Sequence, residues 1–98
     1  MLVKIHETYR KTIAICDEEL LGKELEEGVK YLDLRGKFFD GESKDEEELE
    51  EIVRIGVAED VTFYIVGEKS VEFFLKHGLI NRRGISKIGG IPIALILL

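Results

Sequence analysis

The residues of this 98-residue chain whose types and order suit chemistry begin with "IVGEKS", residues 65–70. A β-branched run ends at Gly67, Lys69 and Ser70 follow, and an amphipathic stretch begins. That is the order of parts in a phosphate-binding loop. Such a loop needs G-x-x-x-x-G-K-[ST], because successive backbone N–H groups must wrap the phosphates while the lysine reaches their outer oxygens. Here Glu68 follows Gly67, which is the only glycine between Val61 and Ser70, and no G-x-G-x-x-G fingerprint occurs anywhere. What remains is a helix N-terminus with free N–H groups, Lys69 and the Ser70 hydroxyl, a place that suits a single sulfate or phosphate. Glu68 sets a negative charge where that anion would sit, so a plain helix start is the leading reading.

The second group is basic. Residues 40–51 hold eight acids against Lys44, whereas residues 69–87 hold Lys69, Lys76, Arg82, Arg83 and Lys87 against Glu72. The chain is therefore dipolar, and its net charge of −6 does not exclude an anionic partner at one end. Arg82 and Arg83 lie in an expected loop, with Lys69, Lys76, His77 and Lys87 as expected neighbours, and such cations neutralise RNA phosphates. Against this, isolated Arg-Arg turns are commonly just solvated, and no ribonucleoprotein-type aromatic motif accompanies them. The candidate anion- or RNA-binding residues are thus Gly67, Lys69, Ser70, Arg82, Arg83 and Lys87.

Other chemistry has less support. His6 and Cys16 are expected on one face of a hairpin, where a thiol and a base could meet. Cross-strand diagonal neighbours stand roughly 7–8 Å apart, however, and no third residue orients the pair. A buried structural cysteine is the ordinary alternative. One Cys and two His give no zinc spacing, and the acids of 45–51 lack the interleaved Asn, Asp and Gly of a calcium loop. No catalytic residue, metal or cofactor is expected. Phe38-Phe39 is a further candidate: adjacent aromatics cannot both face one side of a strand, so one stays exposed for a partner or a bend buries both.

These residues must be held by a small core. The length suits one domain over residues 1–98, 45% hydrophobic and 35% charged. The longest apolar run, Ile91 to Leu98, has eight residues where a spanning helix needs about 20. No basic-then-apolar leader opens the chain, and one cysteine suits a reducing compartment, so a cytoplasmic protein without membrane contact is expected. There is no Gln, one Asn and one Met, while Glu and Lys abound, as in proteins of hyperthermophiles.

Leu2 to Glu7 and Thr12 to Cys16 alternate apolar and polar residues, which predicts a hairpin turning near Tyr9-Arg10. Asp17 is placed to cap a short helix with Leu21 and Leu25 as its stripe and Gly28 as its end. Val29 to Leu34 reads as a strand. Ser43 with Glu46 reads as a capping box for a helix burying Leu49, Ile52, Val53 and Val57. Val61 to Val66 reads as a strand buried on both faces, and Glu68 to His77 as a helix burying Val71, Phe74 and Leu75. Ile85 to Ile88, Gly89-Gly90 and Ile91 to Leu98 predict a closing hairpin, with Pro92 at the start or outer side of its strand. The expected fold is α+β: one compact domain, a mixed sheet of about five to six strands, and helices mainly on one face. The last strand is apolar on both faces, so it lies centrally in a monomer or serves a homodimer.

"KIHETYRKTIAICDEELLGK", "FFDGE" and "FYIVGEKSVEFFLKHGLI" resemble an archaeal family of small uncharacterised proteins, domain of unknown function 424. The resemblance runs over almost the whole chain and implies an archaeal cytoplasmic protein; it carries no activity, cofactor or catalytic residue. The leading functional expectation is a non-catalytic binding or adaptor protein, attached to RNA or the translation machinery through its basic C-terminal half. The alternative is a small-molecule or anion-binding protein, conceivably an enzyme, using the helix start at Gly67.

Overall fold

The structure, a computed structural model, describes residues 1–97. β1 (Leu2–His6) and β2 (Thr12–Cys16) form the expected antiparallel hairpin, with Val3 opposite Ile15 and Ile5 opposite Ile13. This register places Val3, Ile5, Ile13 and Ile15 on one face, where a slip by one residue would turn half of them to the other. β6 (Thr62–Val66) lies parallel to β2 on the far side, aligning Ile13 with Phe63 and Ile15 with Ile65. A parallel pair needs a long crossover. α1 (Glu46–Ala58) supplies it. β8 (Ile91–Ile96) then pairs with β6, and β7 (Ile85–Ile88) with β8. With the two-residue β5 (Glu42–Ser43) beside β1, the sheet order is β5-β1-β2-β6-β8-β7.

α1 and α2 (Glu68–Lys76) pack on one face. Leu49, Val53, Val71, Phe73 and Phe74 meet Val3, Ile13, Ile15, Phe63, Ile65 and Ala94 of the strands in the main core. The architecture is α+β with a mixed six-stranded sheet, as the sequence pattern indicates. β8 is an interior strand. Pro92 lies at its start, and its carbonyl accepts the Gly67 N–H (2.9 Å) beyond the last rung with β6. Gly89 and Gly90, at φ +57° and +81°, make the two-residue turn before it.

Residues 17–28 do not form the expected helix. A single 3-10 turn (Glu18–Leu20) is followed by β3 (Glu24–Glu27), which pairs with β4 (Lys30–Asp33) as a separate two-stranded ribbon. Leu21 and Leu25 share a helical spacing, but Leu25 also alternates with Glu24 and Glu26. Gly22 and Gly28, at φ +88° and +62°, break any helix on both sides and turn the hairpin instead. Leu25 faces Leu32 across the ribbon. With Leu20, Leu34 and Phe39 it covers Ala14, Cys16 and Val66 on the rear face of the sheet, joined by Ile91 and Ile93 of β8. The second apolar side of β8 is therefore covered over half its length by the chain itself.

α1 starts two residues later than the Ser43 reading places it. Asp45 is the N-cap: its carboxylate accepts the Glu48 N–H (2.8 Å), and the Glu48 side chain accepts the Asp45 N–H (3.2 Å). Ser43 sits in β5 and donates to Glu18. α2 buries Ser70, Val71, Phe73 and Phe74 rather than the Val71, Phe74 and Leu75 stripe, since Phe73 turns towards Val53 of α1 while Leu75 borders an open cleft by β7.

Candidate functional site

Gly67 ends β6 at φ +112°, a conformation open to glycine, and a Cβ there would run into the Asp17 carboxylate. Asp17 follows β2, and its N–H donates to the Val66 carbonyl (3.1 Å) past the last rung of the parallel pair. Its side chain is buried against the start of α2. Oδ2 accepts the Lys69 N–H (3.0 Å), and Oδ1 accepts the Ser70 N–H (2.8 Å) and the Ser70 hydroxyl (2.7 Å). A carboxylate at a helix N-terminus meets both the free N–H groups and the positive end of the macrodipole. The anion that the sequence pattern invites is thus supplied by the chain. Lys69 lines a cleft with Asp17, Glu18 and Glu19.

Arg82 and Arg83 lie in a 3-10 turn (Arg82–Gly84) ahead of β7, held by Asn81, whose Oδ1 accepts the Arg83 N–H (3.0 Å). Both are exposed, as is Lys87 on β7. Arg82 and Lys87 line an open cleft of about 300 Å³ with Glu68 and Glu72 of α2. Among the described residues none of these three cations forms an ion pair. Their expected neighbours are engaged elsewhere: Lys76 pairs with Glu46 (3.0 Å), and His77 meets Glu50 (3.4 Å), both on α1. The six candidate residues therefore fall into two places, one on each side of α2. Gly67, Lys69 and Ser70 lie around Asp17, while Arg82, Arg83 and Lys87 lie along the β7 edge.

His6 and Cys16 share a face but stand at opposite ends of the hairpin, opposite Thr12 and Leu2 respectively. Cys16 is buried, and burial with the nearby Asp17 charge pushes its thiol up to about 12. Its Sγ–H donates to the Asp17 carbonyl (3.2 Å). A thiol held protonated in this way is a poor nucleophile. Among the described residues no three His, Cys, Asp or Glu side chains gather to hold a metal ion. None of their helices is long and apolar enough to cross a membrane.

One grouping builds on the Phe38-Phe39 candidate and adds residues the sequence did not join to it. Phe39 is buried in the rear core, while Phe38 beside it is exposed and stacks on His6, with centroids 4.5 Å apart and planes at 16°. Its carbonyl accepts a hydrogen bond from His6 Nε2–H (2.9 Å), which fixes that ring. Phe38 also meets Tyr64 of β6 edge-on (5.3 Å, 87°). The Phe-Phe pair is the sequence signal for it; Tyr64, read as part of a strand buried on both faces, is instead exposed between the buried Phe63 and Ile65.

The sequence matches the model of a family described as "Protein of unknown function (DUF424)" over residues 5–98. In structure the chain is similar to an uncharacterized conserved protein from Methanopyrus kandleri. The TM-score is 0.84 at 29% identity, covering 97% of this chain and 88% of that one. No curated protein matches the sequence.

Proposed function

The chain belongs to the DUF424 family, and we propose that it is a non-catalytic binding protein of the cytoplasm that contacts RNA or a ribonucleoprotein through Arg82, Arg83 and Lys87. The carrying observation is the set of three exposed cations along one sheet edge, without an ion-pair partner among the described residues. Elsewhere the acids of α1 engage the neighbouring cations Lys76 and His77. Phosphates bound at the β7 edge would release counterions, the main source of affinity in such contacts. The alternative, a small-molecule or anion-binding protein using Gly67, would need an external anion to displace Asp17 from three hydrogen bonds. We take the working unit to be a monomer, because the chain's own ribbon covers Ile91 and Ile93.

The test is fluorescence anisotropy with a labelled single-stranded RNA at salt concentrations from about 50 to 200 mM. Reversing the three charges (Arg82→Glu, Arg83→Glu, Lys87→Glu) should weaken binding and reduce the salt slope by about 2. Failure of the native protein to bind RNA, or equal binding by the triple variant, would remove this reading.

A further inference from the structure

Among the described residues, the rear face of the sheet is covered only at one end. The β3–β4 ribbon and the segment after it close over Ala14, Cys16 and Val66, and there the cover stops. Beyond it Tyr64 and Phe38 are each 39% exposed, Leu95 is 47% exposed and Leu97 69%. The strand register joins these residues into one surface. Ala14 aligns with Tyr64, and Tyr64 pairs with Leu95, so both lie in one row across β2, β6 and β8. His6, on the same face of β1 but one row over beside Thr12, stacks on Phe38, and the Phe38 ring reaches Tyr64 edge-on.

The rings are fixed before any ligand arrives. Phe38 is stacked on His6, meets Tyr64 and Phe39 edge-on, and is tied through its carbonyl to the imidazole. Charges border the rings at the β1 end: the cations Arg10 and Lys37, and the acid Asp40 beside Lys4 and Ile5. Arg10 lies in the loop joining β1 to β2, and Lys37 adjoins Phe38; among the described residues neither forms an ion pair. Glu7, the nearest acid to Arg10 in sequence, faces Lys11 instead (3.6 Å). On the other side Ile85 pairs with Ala94, so Gly84 and the adjoining Arg83 come next to Leu95, while Arg82 turns to the α2 side of the sheet. An apolar partner would be served by the rings alone. Rings flanked by unpaired cations suit a ligand with π-faces and a negative backbone, which is the chemistry of a single strand of nucleic acid.

We propose that the uncovered half of the rear sheet face is a stacking platform for unpaired nucleobases of single-stranded RNA. Tyr64, Phe38 and His6 form its centre, with Arg10 and Lys37 at the β1 end and Arg83 at the β8 end to hold phosphates. The proposal rests on the RNA reading above and narrows its ligand from any phosphate backbone to a strand with free bases, because bases within a duplex have no exposed π-face to offer.

Matched single-stranded and duplex RNAs, titrated against native protein, Tyr64→Ala and Tyr64→Phe, test it. The single strand should bind more tightly than the duplex. Tyr64→Ala should weaken the single strand by about tenfold or more, as loss of one stacked base does, with the salt slope unchanged. Tyr64→Phe should keep native affinity, since the ring is retained. Photo-crosslinking of a 4-thiouridine RNA to the native protein, mapped by mass spectrometry, reads the same surface without a variant and should mark Phe38 or Tyr64. Native-like binding by a folded Tyr64→Ala, equal affinity for duplex, or crosslinks confined to residues 82–87 would overturn the platform while leaving the basic edge in place. No binding of any RNA would overturn both. A native dimer in sedimentation that Leu95→Glu converts to a folded monomer would assign the face to a second copy of the chain and overturn the platform too.

Discussion

Asp17 joins two parts of the chain that lie some fifty residues apart in sequence. It is buried, ionisable and hydrogen-bonded to the first turn of α2 at three points. Hydrogen bonds to charged groups contribute about 1.5–3 kcal/mol each in net terms, and they are not additive. Asp17→Ala should therefore lower stability by about 3 kcal/mol, leaving the Lys69 and Ser70 N–H groups unpaired. Urea unfolding of the two proteins measures it, and a loss below about 0.5 kcal/mol would show the bonds to be incidental. The sequence marks Asp17 as a capping residue, and it is one, but of a different helix. The 3-10 turn that follows it takes no hydrogen bond from its side chain. Nothing local reveals this, because the partner is brought alongside only by the parallel pairing of β2 with β6. Next to it, Cys16 stays protonated through neutral pH, its thiol pushed up to about 12. Alkylation of the native protein at pH 7.5–8 should thus proceed only as fast as the core opens; labelling at the rate of a free thiol would contradict this burial.

Among the elements, α1 shows what the sequence pattern carries and what it conceals. Its apolar stripe is legible in part: Leu49 and Val53 bury at helical spacing, but Ile52 is half-buried and Val57 exposed, with Gly56 buried in its place. Its start is not legible, since Ser43 and Asp45 each have a glutamate three residues on, and β5 pairing with β1 claims Ser43. The Glu24–Glu27 strand is harder still. A stretch of four residues with one leucine fits either period, and the choice falls to the glycines on its flanks. The aromatic patch escapes local reading for a similar reason, as His6, Phe38 and Tyr64 come from three separate segments. Gly56 of α1 gives a sharp test of packing at this scale. Helix propensity alone favours Gly56→Ala by about 1 kcal/mol. A Cβ there, however, would stand 2.7 Å from Phe63 Cζ and 2.9 Å from Val61 Cγ2. Both side chains belong to the main core, so overpacking should win and the variant should lose about 1–3 kcal/mol. A rise in melting temperature would show that the core yields there.

Across the whole molecule, the charges form many exposed pairs, among them Lys11–Glu59, Arg54–Glu51 and Lys76–Glu46. Such pairs contribute little at 25 °C but more as the desolvation penalty falls on heating. With the scarcity of amide residues, this leads us to expect a calorimetric melting midpoint above about 80 °C, beyond the usual range of mesophilic domains. A midpoint near 55 °C would refute the thermophilic reading. The position of β8 has a consequence in time. Synthesis delivers residues 62–66 well before residues 91–96, yet the later segment lies inside the sheet, between β6 and β7. Until it emerges from the ribosome, β6 presents a bare edge of β-branched and aromatic residues, the kind that recruits other chains. A chain stopped after residue 90 should accordingly be protease-sensitive and prone to aggregate rather than fold as a smaller version of the protein. For this fold, maturation is a wait for its late strand, with the half-made sheet in need of protection meanwhile.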